Sequence, residues 1–353
     1  MSNTSVGFRR NTYALAAAAA FAATACSDTA TTSPAKSIAP GSAALDQSPE
    51  FNDPSGHGHV FHTKQWFAAQ APADNARPGG GGGGGTNTGI YYHGGPVLQT
   101  GTKVVAVYWA SSPIFNGGPQ AGSTGTGSND GSLVGFFLRN LGGSPYFNIN
   151  STYTDGSGAH IANSVAYTGF WANNTNVPAD GQSVSDAQMV AMLQSGFTSG
   201  ALSYDASTLY AIFTAGKVNL GGGFGSQYCA YHTHGTVSVP GLGSKTVLYA
   251  AMPYDYAYPN ACTNGTASPN NDPGADAEVN TLAHETEETT TDMLGTAWFD
   301  RRGYENADKC AWTWGTTYVT ASGGTANIQI GGKDFLVQRN WVNAGSGGCA
   351  QSF

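Results

Sequence analysis

Hydrophobic and polar positions alternate in kind along this chain, and the alternation predicts interleaved strands and helices. KVVAVYWA, Lys103 to Ala110, is β-branched and aromatic with no polar break, which is the pattern of a strand buried on both faces. HIANSVAYTGFW (His160 to Trp171), TLYAIFTA (Thr208 to Ala215) and TVLYAAMPY (Thr246 to Tyr254) predict three more strands. SLVGFFLRNL, Ser132 to Leu141, has helical spacing. In SVSDAQMVAMLQSGF, Ser183 to Phe197, Ser183 or Ser185 can cap a helix whose apolar face is Met189, Met192, Leu193 and Phe197. A third helix is predicted from about Gly274 to Asp292. ANIQI-GGK-DFLVQ predicts a hairpin turning at Gly331-Gly332. Residues 90–353 therefore read as one loop-rich α/β domain with a mixed sheet and no internal repeat.

The chain before residue 90 follows other rules. Arg9-Arg10 followed by the apolar run Ala14 to Ala25 predicts a signal peptide over residues 1–25. The run is too short to span a bilayer, which takes ~20 apolar residues. ATAC resembles the bacterial lipoprotein cleavage box, although Ala23 stands where a larger aliphatic residue is usual. Cys26 is the expected lipid anchor and the only expected contact with a membrane; simple secretion after an A-x-A-like site is the alternative. Residues 26–89 read as a disordered tether. It carries His57, His59 and His62, which are expected to bind metal adventitiously or not at all, and a linker of seven glycines, Gly79 to Gly85.

Composition narrows the function classes. Fifty glycines in 353 residues suit a loop-rich exported protein. A net charge of -8 without a basic cluster argues against a nucleic-acid partner. With Cys26 lipidated, four cysteines remain, and sequence proximity favours Cys229–Cys262 and Cys310–Cys349 as disulfides.

Charged residues are 10% of the chain, yet ten of its 22 acids lie between Asp272 and Asp308. The centre of that region is AHETEETTTD. On one helix His284 and Glu288 project from the same face, as paired metal ligands do. Glu285 follows His284 directly, where H-E-x-x-H zinc enzymes carry the base; here Glu288 replaces the second histidine. GYENADKC supplies a third ligand, and this resembles the gluzincin arrangement. Glu305 is expected as that ligand and Asp308 as the group orienting His284, with Asp292 as the competing ligand. Zinc is the first expectation, and manganese or calcium also suit a carboxylate-rich set. The opposing reading is an acidic helix face in water, paired with Arg301, Arg302 and Lys309 and ending in a frayed Thr289–Thr291 turn. On either reading Glu287 faces solvent. QYCAYHTHG places His232 and His234 on one face of a strand. His232 is the first candidate for a proton donor, against packing beside a disulfide. Trp298, Trp312, Trp314 and Tyr304 flank the region, where core packing is more usual than a cleft lining.

YYHGGPVLQTGTKVVAVYWA, YCAYHTHG and LYAAMPYDYAYPNAC resemble the bacterial branch of the EXORDIUM, or phosphate-induced protein, family over roughly residues 90–310. Cys229 and His232 match its Cys-x-x-His segment. The resemblance implies export and the fold, with no reaction attached. Plant members lack the H-E-x-x-E cluster, so the acidic motif adds chemistry of its own. The combined expectation is a zincin-like domain with an acidic active-site helix, exported to the outer membrane or cell surface, or secreted. It would act as a metal-dependent, peptidase-like hydrolase. The rival is a non-catalytic envelope protein that binds a wall polymer or a partner. A pseudo-enzyme that keeps the metal is the third reading.

Overall fold

The computed structural model describes residues 59–70, 89–265 and 268–353. The export signal, Cys26, His57 and the glycine run lie outside the described residues.

Seven strands form the central sheet: β1 (Val60–His62), β2 (Thr102–Trp109), β3 (Thr124–Thr126), β4 (Val165–Asn173), β5 (Thr208–Thr214), β6 (Tyr228–Val239) and β7 (Gly243–Pro253). Their spatial order is β1-β6-β7-β5-β2-β4-β3. The four central strands run parallel, and β1, β6 and β3 are antiparallel to their neighbours. This is the mixed sheet that the sequence predicts. Parallel pairs need crossovers, which α2 and α3 supply for β2–β4 and β4–β5 while β6 makes the return between β5 and β7, and strands covered on both faces need apolar residues throughout. β5 is the clearest case. Leu209, Ala211 and Phe213 enter one core, while Tyr210 and Ile212 enter the core on the opposite face.

Four α-helices accompany the sheet: α1 (Lys64–Gln70), α2 (Leu133–Leu141), α3 (Asp186–Ser199) and α4 (Pro273–Thr291). α3 begins with a capping box in which Ser185 accepts from Gln188 N and Gln188 accepts from Ser185 N. Met189, Met192, Leu193 and Phe197 cover one sheet face. α2 and α4 cover the other, through Val134, Phe137 and Leu138 and through Ala275, Val279 and Leu282. The expected hairpin is present as Ile328–Ile330 and Lys333–Phe335. Its turn residues Gly331 and Gly332 have φ of 60° and 83°, which a two-residue turn of this kind demands and side chains disfavour.

Both cysteine pairs form disulfides, Cys229–Cys262 and Cys310–Cys349. They are compatible with an extracellular location.

One segment departs from the sequence reading. Residues 59–70, assigned there to the tether, add the edge strand β1 to β6 and follow it with α1. Val60, Phe61 and His62 are all buried. A three-residue strand is too short to announce itself by period, so its partner β6 decides its conformation.

A buried imidazole and carboxylate centre

α4 starts at Asp272, whose side chain accepts from Ala275 N, with Pro273 in the first turn where its missing N–H costs nothing. From Gly274 to Thr291 every residue is buried. The acidic side chains therefore do not face water, and Glu287, expected to be solvated, is 0% exposed. The threonine run is not frayed either. Thr289 and Thr290 donate to the carbonyls of Glu285 and Thr286 at 2.7 and 2.6 Å, which satisfies their hydroxyls inside the fold.

The C-terminal third of the chain covers the polar side of α4. Asp308 N donates to Glu288 Oε1 at 3.0 Å, and Gln338 N donates to Asn280 Oδ1 at 2.8 Å. Two disulfides tie down the flanking segments, Cys229 three residues before His232 and Cys310 two residues after Asp308.

Two groups of side chains meet there and share Glu288. In the first, His284 Nε2 lies 3.0 Å from Glu288 Oε1 and 3.4 Å from Asp308 Oδ1. His284, Glu288 and Asp308 each offer a ligand atom within 4.8 Å of the others. In the second, His232, Glu285 and Glu288 do the same. Glu305, expected beside His284, stands instead between two other rings, 3.0 Å from His232 Nε2 and 3.1 Å from His59 Nδ1. The reason is the short helical turn after Glu305, which turns Asp308 toward α4 and leaves Glu305 facing the sheet edge. Asp292, the competing ligand, is not in the His284 group. Its Oδ1 accepts from Thr296 N and Ala297 N and so closes the chain after α4.

Electrostatics separate the members. Burial alone lowers the His59 and His232 rings, but the Glu305 carboxylate between them overrides it and holds both near about 10. Burial raises Glu305, and the two rings outweigh that and hold it at about 2. Burial pushes Glu285 up to about 7, with the nearby rings of His284 and His232 opposing. Burial and the Asp308 charge push Glu288 up to about 8. Glu287, on another face of α4, is held well above the carboxylate range by burial, against the polar Asn150 and Asn340 side chains.

The His284 tautomer follows from Gln338. Its Nε2 donates to Ala307 O at 2.8 Å and lies 3.0 Å from His284 Nδ1. A nitrogen that faces a carbonyl is a donor, so Nδ1 accepts and the ring hydrogen sits on Nε2, toward Glu288 and Asp308. This is the arrangement without a cation. A cation held at Nε2 would require the hydrogen on Nδ1 and the Gln338 amide oxygen turned to the ring.

The described access is at the other end. A cavity of about 150 Å³ is lined by His59, His232, Thr233, His234, Met293, Leu294 and Gly295. The flanking aromatics pack instead of lining it. Trp312 stacks on Phe61 and donates to His62 O, and Trp298 donates to Thr154 O. Tyr304 packs on Trp66 and Phe67, and Trp314 packs edge-on against Trp312. Lys309 pairs with Asp300, and Arg302 lies over the Tyr304 ring. His62 stacks on Trp66 and faces Gln227 O, so it belongs to packing.

Sequence reasoning missed His59 and Gln338 as members of this centre. His59 was legible only as one of three histidines in a polar segment, and Gln338 carries no motif at all.

The fold and this centre define an α/β-sheet protein with a disulfide-braced, buried imidazole–carboxylate site. The chain matches the model of the phosphate-induced protein 1 conserved region over residues 142–335, more than half its length, and it belongs to that family. No curated protein and no solved structure matches it. The matched stretch contains His232, α4, Glu305 and Asp308 and leaves His59 and Gln338 outside.

Proposed function

We propose that the chain is an exported member of the family's bacterial branch, anchored through a lipid on Cys26, and that it is a zincin-like metal-dependent hydrolase. A divalent cation, zinc first with manganese and calcium as alternatives, would sit on His284, Glu288 and Asp308. This replaces Glu305 by Asp308 in the ligand set expected from sequence.

The observation that carries the reading is that the buried acid oxygens without hydrogen-bond partners gather at this centre: both of Glu285, Glu305 Oε1, Asp308 Oδ1 and Asp292 Oδ2 lie here, with others on Asp255, Glu278 and Glu287. Such oxygens need a proton or a cation. Five carboxyl groups (Glu285, Glu288, Asp292, Glu305, Asp308) surround three rings (His59, His232, His284). His284 must be neutral to bind a cation, so with the five carboxylates and the His59 and His232 rings charged three negative charges are left over, and a divalent cation would offset two of them. Mixed imidazole and carboxylate donors suit zinc.

When bound, such a cation would supply Lewis acidity to a peptide carbonyl. Glu285, poised near 7, takes a proton from the attacking water. The water oxygen bonds to the carbonyl carbon, the proton passes to the amide nitrogen, and the C–N bond breaks. His232, at the cavity, donates a hydrogen bond to the oxygen that gains charge. The test is metal analysis of the purified full chain. A preparation with no metal, unable to take up zinc, manganese or calcium, overturns the proposal. Glu285→Gln should keep the cation on His284, Glu288 and Asp308 and abolish hydrolysis across a peptide library.

One observation favours a second reading. His284, Glu288 and Asp308 are at most 1% exposed, and closed sites are typical of structural ions. The chain would then be a non-catalytic envelope protein that binds a wall polymer, with the cation bracing α4. Strong destabilisation by a chelator without hydrolysis by the loaded protein selects this reading.

A further inference from the structure

Beyond the cation on His284, Glu288 and Asp308, we infer that His232, Glu285 and Glu288 form a second, weaker divalent-cation site, whose filling removes Glu285 from service as a base. The inference rests on the proposed function, because it concerns regulation of the same centre.

Three observations carry it. His232, Glu285 and Glu288 offer ligand atoms within 4.8 Å of one another, and none of the three is shared with the first group except Glu288. Glu288 presents its two oxygens to different rings, Oε1 to His284 at 3.0 Å and Oε2 to His232 at 3.8 Å. A carboxylate set between two imidazoles in this way can bridge two ions. Glu285 is 0% exposed, and neither of its oxygens has a hydrogen-bond partner, so it is aimed into the group with its lone pairs free. Zinc and manganese both accept one nitrogen and two carboxylate donors.

The second site is the weaker because a cation must displace the hydrogen bond between His232 and Glu305 at 3.0 Å to reach the His232 nitrogen. It is also the site nearer solvent, since His232 lines the cavity. Low zinc therefore fills the first site and leaves Glu285 free. Excess zinc fills the second, and Glu285 becomes a ligand, unable to take a proton from water.

The test counts ions on the full chain by calorimetric zinc titration with elemental analysis, and does not depend on hydrolysis. Two equivalents of unequal affinity are expected. His232→Asn and Glu285→Gln should each weaken the second by about ten-fold or more and leave the first. Asp308→Asn should weaken the first. Manganese loading should give the exchange-coupled resonance of two neighbouring ions, lost in His232→Asn. Circular dichroism checks that each variant is folded, and the two second-site variants serve as replacements for each other. A single equivalent in the wild type overturns the second site and leaves the proposed function standing. No zinc uptake at all overturns both. Two equivalents that His232→Asn and Glu285→Gln leave unchanged overturn the assignment.

Discussion

Replacing Phe61 by Ala tests whether the segment before the glycine run belongs to the folded domain. Phe61 is 0% exposed, its ring centroid is 4.1 Å from that of His284, and it stacks on Trp312 at 4.7 Å. Truncating a buried Phe to Ala costs about 3–5 kcal/mol, through lost burial and the cavity left behind. The two ring contacts place this site in the upper half of that range, at about 4 kcal/mol. A domain of this size has about 5–15 kcal/mol in hand, so the variant should remain folded. Its urea midpoint should fall with an unchanged slope, and its Tm should drop by about 10 °C. Val319→Ala, at a residue 74% exposed, is the control and should stay within about 0.5 kcal/mol of wild type. A loss below about 1 kcal/mol for Phe61→Ala would mean that residues 59–70 are not docked as described, and would remove His59 from the centre as well.

Other outcomes follow from the same geometry. Glu285 and Glu288 have folded pKa values raised to about 7 and about 8. The fold therefore favours their protonated forms, a contribution fully present below their unfolded value of about 4.3 and lost as pH rises through 7 to 8. Thermal melts of chelated protein should show Tm falling over that interval, and a saturating divalent cation should flatten the fall; a flat chelated profile contradicts the burial of these acids. Cys310→Ser with Cys349→Ser opens a loop with a sequence separation of 39 residues, and chain entropy sets the cost at about 4 kcal/mol. Because Cys310 anchors the turn that carries Asp308, zinc affinity should fall with stability, and unchanged affinity would show that Asp308 is held by other contacts. Gln338→Leu removes the partner of His284 Nδ1. It should weaken zinc binding about 10–100-fold with the fold intact, and an unaltered affinity argues against His284 as a ligand.

Sequence by itself determined the buried strands, the capped α3, the turn at Gly331-Gly332 and the α4 motif, and it favoured the two disulfide pairings that the structure forms. These depend on local period, caps and spacing, which a chain carries in neighbouring residues. It also placed His284, Glu285 and Glu288 on one helix, because a rise of four residues fixes which side chains share a face. Only the tertiary structure decided that Asp308 rather than Glu305 stands beside His284, since the two are three residues apart and the turn between them sets which one meets α4. It alone decided that Glu287 is buried, because the polar side chains that meet it, Asn150 and Asn340, lie 137 and 53 residues away in sequence and leave no local trace. His59 and Gln338 reach the centre from opposite ends of the domain, 225 and 54 residues from His284. Contacts of that separation are set by the packing of β1 on β6 and of the C-terminal segment on α4, and no spacing rule along the chain encodes them.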